Sequence, residues 1–132
     1  MYEILKNMGI SELTINNMVE MCENIKELSA EEILKKIDIL KKENCDEIQI
    51  RNIISSNASY LDKSDTDINK LITKLKEYGF TNLDLLFDGN PYILNLDDFE
   101  IERYIRGRIE TGELIEDIVD DMSANLFKFS EI

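Results

Sequence analysis

Leu75-Lys76-Glu77-Tyr78-Gly79-Phe80-Thr81-Asn82-Leu83 is the stretch on which the fold is decided. It has two earlier echoes, Leu5-Lys6-Asn7-Met8-Gly9-Ile10-Ser11-Glu12-Leu13 and Leu40-Lys41-Lys42-Glu43-Asn44-Cys45-Asp46-Glu47-Ile48, each spaced 35 residues from the next. Every column has a physical reason. Gly9, Asn44 and Gly79 are residue types that tolerate a left-handed backbone, which ends a helix. Ile10, Cys45 and Phe80 follow as the apolar residue that packs back on the finished turn. Ser11, Asp46 and Thr81 are N-cap types that open the next helix.

A second boundary recurs downstream. Ser29-x-x-Glu32, Ser64-x-x-Asp67 and Asp97-x-x-Glu100 resemble capping boxes, and isoleucine follows each: Ile33, Ile68, Ile101. Apolar residues then fall at helical spacing: Ile33, Ile37, Leu40; Ile68, Leu71, Ile72, Leu75; Ile101, Tyr104, Ile105, Ile109. The pattern predicts shorter helices near 12–22, 47–55 and 82–88, and longer ones near 30–43, 65–78 and 98–109. Compact elbows at Asn24-Ile25, Asn57 to Leu61 and Asn90 to Leu94 join them. A partial fourth copy is expected from Asp117-Ile118-Val119, which echoes Asp84-Leu85-Leu86, and from Ser123 to Phe127, which echoes Asn57 to Leu61. The expected fold is therefore all-α: an α-solenoid of about three and a half helix-pair repeats (5–39, 40–74, 75–108, partial 109–132) in a single domain, residues 1–132. A helix pair buries one face only against the next pair, so the stack supplies the core.

A tetratricopeptide array has a similar period, but its Trp, Gly and Ala signature is missing. Leu75-x-x-x-Gly79-Phe80-Thr81, an apolar helix, Asn90-Pro91-Tyr92-Ile93-Leu94 and a capped helix from Asp97 to Ile109 resemble a repeat of the mitochondrial transcription termination factor (mTERF) family. The resemblance spans nearly the whole chain, although only the third copy keeps the proline. It implies a curved helical superhelix, often one that binds nucleic acid along a basic concave groove. One column suits such binding. Six residues past each long-helix cap stand Lys35, Lys70 and Arg103, with Lys36, Lys42, Lys74, Arg106 and Arg108 nearby.

The charge balance points elsewhere. The chain carries 28 acids and 15 bases, a net charge of −13. Residues 97–121 hold ten acids against three arginines. Asp97, Asp98, Glu100, Glu102, Glu113, Glu116, Asp117, Asp120 and Asp121 thus make a candidate surface for a basic protein partner, acting by electrostatic encounter and as a candidate mimic of phosphates. Some anti-CRISPR inhibitors are similar in size and charge. On the sequence alone this inhibitor-like reading comes first, and nucleic-acid binding through the cation column is the alternative. The bland readings are a solvated acidic face and lysines balanced by neighbouring acids at helical spacing.

Enzymatic chemistry has little to build on. Histidine is absent, Cys22 and Cys45 read as core thiols, and no phosphate-cradling glycine loop exists. Asp65-Thr66-Asp67 with Asn69 lacks the glycine and closing glutamate of a calcium loop. No catalytic, metal or cofactor site is expected. Tyr60, Tyr92, Tyr78 and Tyr104 could stack on bases, though core or rim positions are the commoner use. Neither a membrane-spanning run nor an apolar leader follows Met1, so a cytoplasmic location is expected.

Overall fold

The computed structural model describes residues 1–124, so part of the expected echo at Ser123 to Phe127 lies outside it. Among the described residues there are eight α-helices and three short 3-10 helices, with no strand. The α-helices are α1 (Tyr2–Asn7), α2 (Glu12–Met21), α3 (Ala30–Lys42), α4 (Glu47–Ser56), α5 (Asp65–Glu77), α6 (Leu83–Gly89), α7 (Asp98–Glu110) and α8 (Ile115–Ser123). The 3-10 helices, Glu23–Glu27, Ala58–Asp62 and Pro91–Asn95, are the elbows. The repeat is thus a short helix, a 3-10 turn and a long helix. The elbow of the first copy opens after Cys22, which aligns with Asn57 and Asn90; Asn24 lies inside the turn.

The turns that end the long helices are built alike. Asn44 has a φ of 69°, and Gly9 and Gly79 have φ of 90° and 101°. The backbone N–H groups of Ile10, Cys45 and Phe80 donate to the carbonyls of Leu5, Leu40 and Leu75, each at 3.1 Å. Those of Gly9, Asn44 and Gly79 donate to Lys6, Lys41 and Lys76 at 2.9, 3.0 and 3.0 Å. This bond pair is a Schellman motif, and its apolar clasp is buried in all three copies. A fourth motif, unforeseen in the sequence, follows α7: Gly112 has a φ of 96°, and its N–H and that of Glu113 donate to Ile109 and Arg108 at 3.0 and 3.3 Å. It comes 33 residues after Gly79.

The starts of the helices follow the expected caps with one exception. Ser29 with Glu32, Asp46 with Gln49 and Asp97 with Glu100 form reciprocal capping boxes. Ser11 and Ser64 accept from the N–H groups of Thr14 and Asp67 at 3.2 and 3.1 Å. Thr81 does not cap α6. That helix starts two residues later behind Asn82, without a side-chain cap bond, and has 7 residues where α2 and α4 have 10. The short helix of the third copy is thus the shorter one, and the caps Ser64 and Asp97 stand 33 residues apart where Ser29 and Ser64 stand 35 apart.

The chain divides into two compact units, Met1–Lys63 and Ser64–Ile132. The first is built on Leu5, Ile15, Met18, Ile25, Ile33, Leu40, Ile53 and Leu61, all fully buried. Tyr60 is also fully buried, and its hydroxyl donates to the Lys36 carbonyl at 2.6 Å. It is a core residue, closed to any base. The second unit is built on Ile68, Leu71, Leu75, Phe87, Ile93, Leu94, Ile101, Ile105, Ile118 and Met122. Each such side chain contributes about 1.5–3 kcal/mol on leaving water. The third long-helix stripe is weaker than expected, since Tyr104 is half-buried and Ile109 is 42% exposed. Among the described residues no helix is long and apolar enough to cross a membrane.

Candidate nucleic-acid interface

Lys35, Lys70 and Arg103 occupy the same position on α3, α5 and α7, and all three are exposed. The cap fixes this register: with Ser29, Ser64 and Asp97 at the N-cap, the residue six past the cap lies opposite the buried isoleucine four past it. In the first unit Lys35 Nζ lies 3.5 Å from Glu31 one turn earlier, a solvated pair worth little. Lys36 is buried at 6% exposure, so it does not widen the cation column. Lys42 pairs with Asp38 at 3.3 Å.

In the second unit Lys70 lines a surface groove of about 430 Å³ with Thr66, Asn69, Thr73, Lys74, Glu77 and Asp98. Hydroxyl, amide and ammonium groups line this groove, and all of them can donate to phosphate oxygens. Arg103 lies over the Phe99 ring, 5.7 Å from its centroid, and Phe99 itself is 63% exposed. Lys74 reaches Glu77 at 3.4 Å and Glu102 at 3.6 Å. Desolvation opposes its charge, but the bond to Glu77 and the charge of Glu102 outweigh it and raise the pKa. Arg106 is held above its usual pKa by the Tyr78 hydroxyl and by Glu102, 3.1 Å away.

Arg108 is bound on three sides. Its guanidinium donates to both carboxylate oxygens of Glu113 at 2.8 and 2.6 Å, to Asp121 at 2.7 Å and to the Tyr104 hydroxyl at 3.2 Å. Glu113, then Asp121, drive its pKa further up, and Arg108 in turn holds the Glu113 carboxyl below the usual carboxylate range. Arg108 and Glu113 stand where the other Schellman motifs place their apolar pair, so an ion pair replaces the hydrophobic clasp. It ties α7 to α8.

The acidic tract is correspondingly divided. Asp97 and Glu100 close the α7 capping box. Glu102 pairs with Lys74 and Arg106, and Glu113 and Asp121 with Arg108. Asp98 is half-buried at the groove beside Lys70. Glu116, Asp117 and Asp120 are exposed on α8, and the first two sit in its first turn, where negative charge suits the helix dipole. Among the described residues no group of three or more Cys, Asp or Glu side chains is placed to hold a metal ion.

The mTERF family model matches residues 1–105. The chain belongs to the mTERF family. The matched span takes in the first two copies of the repeat and the third as far as residue 105, through the cation at position 103 and most of α7. No curated protein and no solved structure matches the chain.

Proposed function

We propose that this mTERF-family chain binds nucleic acid through the exposed cations six residues past each long-helix cap, Lys35, Lys70 and Arg103. The observation that carries the reading is the recurrence of an exposed cation at one register position on all three long helices. Family membership supports the same function. Phosphate contacts supply sequence-independent affinity, and the hydroxyl- and amide-lined groove beside Lys70 adds neutral donors.

The test is fluorescence anisotropy with labelled duplex DNA, single-stranded DNA and RNA across a salt series. Three duplex phosphate contacts give a log–log salt slope of about −2.7. Replacing Lys35, Lys70 and Arg103 together by glutamate is expected to abolish binding and flatten that slope. Lys26→Glu, on the first elbow, is expected to leave it unchanged. Unaltered binding by the triple variant would dismiss the column.

The second reading is an acidic surface toward a basic protein, as in an inhibitor that mimics nucleic acid. It rests on Glu116, Asp117 and Asp120, which carry no ion pair among the described residues. Salt-sensitive binding of polylysine with no binding of any nucleic acid would put this reading first.

A further inference from the structure

On each long helix the residues two, six and nine past the N-cap lie on one outward stripe, and all of them are exposed. On α3 they are Glu31, Lys35 and Asp38, one cation against two acids, with Lys35 already paired to Glu31. On α5 they are Thr66, Lys70 and Thr73, one cation and no acid. On α7 they are Phe99, Arg103 and Arg106, two cations and an aromatic ring where the other two helices carry Glu31 and Thr66. Arg106 is shared with Glu102 at 3.1 Å, so Lys70 and Arg103 are the cations this surface leaves open.

Phe99 gains little from the fold. It is 63% exposed, whereas Phe87 in the same unit is fully buried. Arg103, one turn further along α7, lies over its ring at 5.7 Å from the centroid, so ring and guanidinium make one exposed platform. α5 and α7 are joined within the second unit by the Lys74–Glu102 pair at 3.6 Å, and Asp98, the residue before Phe99, lines the groove that holds Lys70. A carboxylate there repels a phosphate but accepts from the amino group of a base or the hydroxyl of a sugar.

We infer that this surface takes a single-stranded nucleic acid, with a base stacked on Phe99 and neighbouring phosphates on Arg103 and Lys70. The inference rests on the nucleic-acid reading above and names the form of the ligand. In a duplex the bases are already stacked and show only their edges, and a phenyl ring has no donor or acceptor with which to read them. An unpaired base has a free π-face, which stacks on an aromatic ring or a guanidinium plane whatever its identity. Stacking is not screened by salt, so it holds the ligand where a net charge of −13 weakens the pull on phosphates.

Fluorescence anisotropy with labelled single strands and the matching duplex tests the inference, with oligo-dT and oligo-rU as separate arms to tell DNA from RNA. Single strands are expected to bind more tightly than the duplex. Phe99→Leu, which keeps an apolar side chain without a π-face, should weaken single-strand binding by about tenfold at an unchanged salt slope. Phe99→Tyr should restore it. The chain has no tryptophan, so the emission of Phe99→Trp reports this position alone. It should be quenched by a single strand and untouched by an abasic strand of equal length. A duplex bound as tightly as the single strand overturns the inference, and so does wild-type affinity in Phe99→Leu or an unquenched tryptophan. If the Lys35, Lys70 and Arg103 triple variant loses binding while Phe99→Leu does not, the cation column stands and the stacked base falls. Absence of binding to every strand overturns both.

Discussion

Asn44 adopts the left-handed conformation in a turn where the matching residues are Gly9 and Gly79. An Asn side chain tolerates it, whereas a plain Cβ costs about 1–2 kcal/mol. Asn44→Ala is therefore expected to lower unfolding free energy by about 1 kcal/mol, and Asn44→Gly to leave it level or slightly higher, both read from urea midpoints at constant m. Tyr60 makes a second test. Its buried hydroxyl donates to the Lys36 carbonyl at 2.6 Å, a second bond to a carbonyl inside α3, so Tyr60→Phe removes one buried hydrogen bond and should lose about 1 kcal/mol. The left-handed positions were legible in the sequence because only a few residue types fit them. Burial of Tyr60 was not, since a five-residue 3-10 turn has no periodicity long enough to show which side faces the core. Aligning it with the buried Ile25 and Ile93 needs the shorter third repeat, which the starting columns alone do not reveal.

Among the helices, those with side-chain caps were placed most accurately, because a cap is a bond between residues three apart. Ser29→Ala should cost about 1 kcal/mol. At α5 only half the box forms: Ser64 accepts from Asp67, but the carboxylate of Asp67 does not close the box back to the cap. Aspartate is one methylene shorter than the glutamate that completes the boxes of α3 and α7. Asp67→Glu is expected to complete the box and raise the melting temperature. α6 was harder to place because Thr81 has the right chemistry in a copy whose short helix has contracted. The link from α7 to α8 depends on charge, with a definite pH signature. Because Arg108 lowers the Glu113 pKa, the pair stabilises fully above the ordinary carboxylate pKa and fails as pH falls through the depressed folded value. Acid titration followed by circular dichroism should show a steeper loss below that point in the wild type than in Arg108→Met.

For the molecule as a whole, a net charge of −13 opposes the approach of any polyanion, while the exposed cations act only at close range. Screening should therefore help the encounter and weaken the complex. Stopped-flow mixing with duplex DNA is expected to show the association rate rising from low to moderate salt while dissociation accelerates more. A fall in association rate over that range would indicate attractive steering instead of long-range repulsion. Pairing among charges was the part of the site hidden from sequence. Glu102, Glu113 and Asp121 look like open surface in a linear reading, yet each is claimed by a cation from another element or another turn.

The Schellman stop and the capped start together occupy only a few residues and close with bonds among themselves. A duplication cut at equivalent points, such as Asn44 and Gly79, would carry its own punctuation and could be spliced in without rewriting its neighbours. Lineages built on such a cassette are free to gain or lose whole units by recombination, and length differences such as that of α6 can be absorbed between one stop and the next.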